Sequence, residues 1–266
     1  MLRIKLTLLT LIIGACATVS NSDVILLDSK PINAKSGNIL ENQLKETPID
    51  IWERIRRELT IKIPDDQIAA TSIYRERLYK NQSAVNRISK SGQRYLFHTL
   101  SRAQELDLPV ELALLPFVES EFDPYAKSVD GATGIWQFMP ATGKEWGLKS
   151  NWWYDGKKDV LASTEAALKF LSYLHQKFDE DWLLAMAAYN TGPTRVNRAI
   201  RKNKMQDKGI RFWDLDLPKE TTAYVPKLLV LCELINNPKS FEVNLPSIAN
   251  RPYFQRVKIP GQLDLM

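Results

Sequence analysis

The sequence predicts a mainly helical protein with a helical N-terminal extension and a short β-rich tail. Apolar residues recur at helical spacing, as in Ile51, Trp52, Ile55 and Leu59 and again in Ala167, Phe170, Leu171, Leu174 and Phe178. Aspartates that can cap helices stand ahead of three such stretches, at Asp50, Asp159 and Asp181. β-type pieces occur only after Pro238, at 241–243 and 253–259, around Pro246 and Pro252. They suggest a small hairpin or an extended tail laid on the helices over 238–266.

From the start of the chain, Arg3 and Lys5 precede an apolar stretch that runs to Ala15 and meets Cys16. That stretch is too short to span a bilayer but suits the centre of a signal peptide, so 1–15 reads as a removable leader. Ile13, Gly14 and Ala15 before Cys16 resemble the lipobox of bacterial lipoproteins, in which the cysteine becomes the lipidated first residue. An ordinary secretory leader with an incidental cysteine is the plainer alternative. Ala17 resembles the outer-membrane sorting pattern, which implies a periplasmic protein held to the outer membrane by lipid on Cys16. Residues 16–49 are polar, rich in Asn, Ser and Lys, and read as a flexible tether.

The N-terminal extension spans 50–106. A first helix occupies 51–59, Pro64 with Asp65 and Asp66 turns the chain and caps a second, and 85–106 forms a long third with a break at Gly92. His98 has no second histidine at ligand spacing, so it reads as packing or surface, and no metal-ligand cluster is present.

The central domain, 107–237, is organised around an almost wholly apolar run, 110–118, that ends in Glu119. A run apolar on every side is the pattern of a buried helix. A carboxyl at its mouth loses water, which disfavours the charged form and raises its pKa toward the range of a general acid. Glu121 faces elsewhere, and Asp123 precedes Pro124, which pushes it out of helical geometry. One well-placed acid remains, although a helix-end glutamate satisfied by backbone or solvent would look the same.

A loop follows with Ser128, then Gly131 and Gly134 around a turn before 135–139, in which Gln137 is the lone polar residue. Buried glutamine needs partners, from a ligand or from the backbone. Trp152, Trp153 and Tyr154 cluster beside Asp155 and Gly156; aromatic faces on a loop can stack on sugars, but the reading favours core for at least one tryptophan. Asp159 caps a helix to about Phe178. Asp181 caps the next, which carries Tyr189 and Asn190 to a sharp end at Thr191, Gly192 and Pro193, and another helix runs to about Asn203. Cys232 sits in the apolar helical run 225–235 as a small core residue, and with Cys16 acylated it has no disulfide partner.

The formal charge of +5 falls to +3 without Arg3 and Lys5. That mild basicity suits an acidic polymer or an anionic surface but decides nothing, and no basic run with interleaved aromatics points to nucleic acid.

Five motifs in order carry a resemblance: PFVESEFDP (116–124), GATGIWQFMPATG (131–143), NWWYDGKKDV (151–160), AMAAYNTGP (185–193) and KETTAYVPK (219–227). Together they resemble the lytic murein transglycosylases with the soluble-transglycosylase type catalytic domain, over about 50–253. The resemblance implies a lysozyme-like, goose-type helical domain acting on peptidoglycan glycan strands as a monomer, without metal or organic cofactor. It implies Glu119 as the single catalytic acid and base, and Ser128, Gln137, Met139, Tyr189, Asn190 and Glu220 in the sugar-binding groove. The phenol of Tyr189 is expected to hold the Glu119 carboxyl; a first-turn glutamate favoured by the helix dipole is the plainer account of Glu220. In that family the acid protonates the bond between N-acetylmuramic acid and N-acetylglucosamine, and its carboxylate then deprotonates the muramyl C6 hydroxyl to close an anhydro ring.

Two other readings stay open on the sequence. A goose-lysozyme-like muramidase of the same fold would need a second carboxylate, such as Asp123, Asp130 or Asp155, to aim a water. A lipoprotein that binds peptidoglycan without cutting it would not need Glu119.

Overall fold

The computed structural model describes residues 50–255. The leader, the tether, Cys16 and the end of the tail lie outside them. Among the described residues ten α-helices follow one another: α1 (Ile51–Arg56), α2 (Ile68–Leu78), α3 (Gln82–Gly92), α4 (Leu96–Glu105), α5 (Leu115–Glu119), α6 (Pro140–Glu145), α7 (Val160–Lys177), α8 (Trp182–Thr191), α9 (Pro193–Met205) and α10 (Lys219–Asn236). Asp50, Asp159 and Asp181 each accept hydrogen bonds from backbone N–H groups of the turn they precede, as their positions predict. The long helix expected over 85–106 is two, α3 and α4, separated just after Gly92.

α10 is the axis of the molecule. Val225, Leu228, Leu229, Val230, Leu231, Cys232, Leu234 and Ile235 are all buried, so the second half of the helix is apolar nearly all round and sunk in the core, while Glu220 and Lys227 stay exposed. It lies against α2, α8, α1 and α5, while α7 packs on α8. The N-terminal helices share this core, contributing Ile51, Trp52, Ile55, Val85, Leu96 and Leu100 to one hydrophobic cluster.

The apolar run before Glu119 is not one α-helix. Val110–Leu114 is a 3-10 helix that passes into α5. Pro116 has no N–H to give the carbonyl of Leu112, and the N–H of Leu115 takes that carbonyl instead, in the tighter three-residue pattern.

The tail also departs from expectation. Pro238–Phe241 is a 3-10 turn, and Glu242 follows in the left-handed region at φ 52°. Among the described residues the tail forms no strand; its one sheet-like feature is an isolated bridge between Asp50 and Ala249. Pro246 and Pro252 lack the N–H groups that a ladder needs. The tail's carbonyls are taken singly, that of Pro246 by the Trp52 indole at 2.9 Å and that of Ile248 by the N–H of Ile51 at 2.9 Å.

Candidate active site

α5 ends where its last side chain is wanted. Ser120 leaves helical geometry, and its hydroxyl donates to the carbonyl of Ile135 at 3.0 Å, tying the helix end to the turn before α6. Glu121 and Phe122 then take positive φ values of 51° and 60°, and the Phe122 ring packs on Phe117 with centroids 4.6 Å apart. This reversal drives the chain away, so Glu119 opens into a cavity of about 810 Å³ while Asp123 lies in a different groove.

The cavity is lined by every site residue expected from the sequence: Glu119, Ser128, Gln137, Met139, Tyr189, Asn190 and Glu220. Of the three candidates for the second carboxylate of a hydrolytic reading, Asp130 lines it as well. Asp123 and Asp155 do not; Asp155 is held by Lys157 at 2.7 Å and by the Ser150 hydroxyl at 2.9 Å.

The wall around Gln137 is built on glycine. Gly134 has φ +83°, and a Cβ there would lie 1.9 Å from the carbonyl oxygen of Lys157. Only glycine permits both the conformation and that approach. Gln137 is itself at φ 47°, a strained value for a residue with a side chain. Its amide nitrogen donates to the carbonyls of Gly134 at 2.8 Å and Ala126 at 3.4 Å. The backbone thus uses its donors, which leaves the side-chain oxygen as the group that can meet a ligand. The Ser128 hydroxyl accepts from the N–H of Ala132 at 3.0 Å and closes the adjoining loop.

Glu119 receives one hydrogen bond, from the phenol of Tyr224 at 2.6 Å. Burial pushes its pKa up from 4.5 to about 8, against the Tyr224 bond, which favours the charged form, and with help from the negative charge of Glu220. Glu119 is therefore protonated at neutral pH, as a proton donor must be.

Here the expectation for Tyr189 is corrected. Its phenol donates to the carbonyl of Trp136 at 2.9 Å, and the bond to Glu119 is made by Tyr224. Tyr189 reaches the cavity through a layer of rings, with Phe170 5.4 Å and Phe138 6.1 Å from its centroid, and that packing points its hydroxyl to the 135–138 turn. Both phenols titrate well above the ordinary range, chiefly through burial and secondarily through the charge of Glu119. Tyr224 stands four residues after Glu220 on α10, one turn along the same face, a spacing that sets it beside a groove residue without choosing it over Tyr189. Asn190 is fixed by the Thr221 hydroxyl, which donates to its side-chain oxygen at 2.8 Å, and its amide lies 3.5 Å from Glu220.

The aromatic pair after α6 is not core. Trp152 and Trp153 are 81% and 79% exposed, their ring centroids 3.5 Å apart and their planes tilted by 39°, on a loop whose Asn151 side chain accepts from the N–H groups of Trp153 and Tyr154. The turn made by Asn151 holds that backbone outward. Among the described residues no group of His, Cys, Asp and Glu is arranged to hold a metal ion.

Comparison with known proteins bears on this arrangement. A family model described as the Transglycosylase SLT domain matches residues 98–212. The chain is 39% identical over 216 residues to membrane-bound lytic murein transglycosylase D of Escherichia coli strain K12, across 81% of this chain and 47% of that one. It is 38% identical over 164 residues to a protein of Alteromonas sp. strain M-1 named for tributyltin chloride resistance, across 62% of this chain and 77% of that one.

The chain belongs to the SLT transglycosylase family. Of the residues lining the cavity, Glu119, Ser128, Gln137, Met139, Tyr189 and Asn190 lie within the matched residues, and Glu220 and Tyr224 lie on α10 beyond them. The chain spans about half the length of the transglycosylase D relatives it matches. Among solved structures, the 70 kDa soluble lytic transglycosylase of Escherichia coli overlaps 54% of this chain and 24% of its own, at 23% identity and TM-score 0.41. At that level the overlap is partial, and the mainly helical class rests on the ten helices themselves.

Proposed function

We propose that this SLT-family chain is a peptidoglycan lytic transglycosylase. It cleaves the β-1,4 bond between N-acetylmuramic acid and N-acetylglucosamine without water, and Glu119 serves as its single acid and base. The observation that carries the reading is a carboxyl raised to about 8 and opening into the cavity that the expected sugar-binding residues line. The relatives named as lytic murein transglycosylases supply the substrate class.

Protonated Glu119 gives its proton to the glycosidic oxygen, the C1–O bond breaks, and the N-acetylglucosamine part of the strand leaves with that proton. The muramyl acetamido group shares the positive charge left at C1. Glu119 is now a carboxylate, and the Tyr224 phenol, 2.6 Å away, stabilises it. It then removes the proton from the muramyl C6 hydroxyl, whose oxygen bonds to C1 and closes the 1,6-anhydro ring. The acid is returned for the next cycle, with no second carboxylate needed to aim a water. Gln137, Ser128, Met139, Tyr189, Asn190 and Glu220 hold the sugars on either side of the broken bond.

The chain acts as a monomer, since one copy supplies every group named. The apolar leader ending at Cys16 and the "membrane-bound" name of the transglycosylase D relatives support a periplasmic protein held to the outer membrane by lipid on Cys16. Among the described residues no helix is long and apolar enough to cross a membrane.

Mass spectrometry of the fragments released from purified peptidoglycan tests the reading. Products one water lighter than hydrolytic fragments, absent with Glu119→Gln, are expected. Reducing ends from the wild-type protein would contradict it and make the chain a hydrolase.

A further inference from the structure

A second cavity shares a wall with the first. It measures about 280 Å³, and Val118 and Lys227 line both. Its floor includes Phe117 and Val118 of α5, and its rim carries Arg77 of α2, Arg87 of α3 and Lys227 of α10, against one acidic residue, Glu121. Among the described residues none of these three cations takes part in an ion pair. The Arg87 guanidinium reaches only the Ser83 hydroxyl, at 3.4 Å, and that of Arg77 lies 5.9 Å from the Tyr74 ring. Arg77 and Arg87 both precede residues 98–212, so these two cations come from the N-terminal helices and lie outside the part matched by the family model.

Uncompensated cations over an apolar floor suit a ligand with separated carboxylates on short aliphatic parts. We propose that this cavity receives the peptide branch that peptidoglycan carries on its muramyl residues, with Arg77, Arg87 and Lys227 meeting its free carboxylates. The inference rests on reading the main cavity as a peptidoglycan site. The branch leaves the muramyl sugar through the lactyl ether on C3, so a muramyl residue placed at Glu119 must send it into space continuous with the main cavity. Val118 and Lys227, which line both cavities, set the second cavity directly beside the first. The rim cations are exposed, so each contact is screened and modest, and the preference arises from their sum.

The test compares soluble glycan strands that bear their peptides with the same strands stripped by an amidase, using wild type and an Arg77→Gln/Arg87→Gln double variant. Both positions are on the surface and outside the catalytic cavity, so folding and cleavage of stripped strands should persist. Wild type is expected to favour peptide-bearing strands, and the double variant to lose about tenfold in kcat/KM on those strands alone. Equal wild-type rates on the two substrates, or an equal fall on both in the variant, would overturn the proposal. If wild type cleaves neither substrate, the catalytic reading fails, and binding of the free peptide decides the present one. Binding by wild type that the double variant loses supports it, and binding that is absent or equal in both refutes it.

Discussion

Two glutamates mark the ends of one buried run, and they meet opposite surroundings. Glu111, fully buried near the start, accepts the backbone N–H groups of Thr60 and Ile61 on one carboxyl oxygen, the latter at 2.6 Å, and its other oxygen has no partner among the described residues. It fastens the segment after α1 to the core. Glu119, at the far end, meets one phenol and an open cavity. Residue type and apolar surroundings are the same. What separates the two carboxyls is their partners: Glu111 is tied down by fixed backbone donors, whereas Glu119 meets a phenol and a neighbouring carboxylate at an open cavity.

Replacing each glutamate should show this difference most strongly. Glu119→Gln should lower the cleavage rate by about a thousandfold or more, within the range of a lost general acid and base, while circular dichroism and compactness stay unchanged. It should also alter the pH dependence of stability. The folded pKa of about 8 exceeds the ordinary 4.5, so between those values the folded state holds a proton that the unfolded chain has released. Wild-type stability therefore declines as pH rises through that window, and Glu119→Gln should be the more stable protein at its upper end, by about 1 to 3 kcal/mol in denaturant melts.

Glu111→Leu reverses the pattern. Two backbone N–H groups lose their acceptor, which should cost about 3 kcal/mol of stability, while turnover per folded molecule stays at the wild-type level. Equal catalytic losses from both substitutions would break the comparison.

Tyr224→Phe and Glu220→Gln sharpen it by moving the Glu119 pKa in opposite directions. Without the Tyr224 bond the charged form loses support and the carboxyl is less well positioned. The rate should fall by about tenfold, and the alkaline limb of the activity profile should move to higher pH. Removing the charge of Glu220 favours ionisation of Glu119, so the limb should move to lower pH with the smallest loss of rate. Tyr189→Phe, which removes a bond to the Trp136 carbonyl, should leave the position of that limb nearer wild type than Tyr224→Phe does.

Much of this was legible in the sequence, because local chemistry set it. Asp159 and Asp181 marked helix starts through their capping oxygens, and the apolar run before Glu119 declared a buried carboxyl. The choice between two tyrosines was not legible. Tyr189 and Tyr224 both lie in family-like motifs, and the one that reaches Glu119 is decided by how α8 and α10 pack, a long-range matter. Trp152 and Trp153 look like core by composition, but the turn at Asn151 turns them outward. Among the described residues the tail's β-type pieces form no ladder, because prolines remove its donors and α1 takes its carbonyls one at a time.

The central claim is that burial keeps the Glu119 carboxyl protonated at neutral pH. Carbon-detected NMR titration of labelled side-chain carboxyls, assigned by difference against Glu119→Gln, measures this without substrate. The account predicts one carboxyl, missing from the variant, with a midpoint near 8. A midpoint near the ordinary 4.5 would mean that the group is already ionised at neutral pH, and it would contradict the role assigned to Glu119 as proton donor.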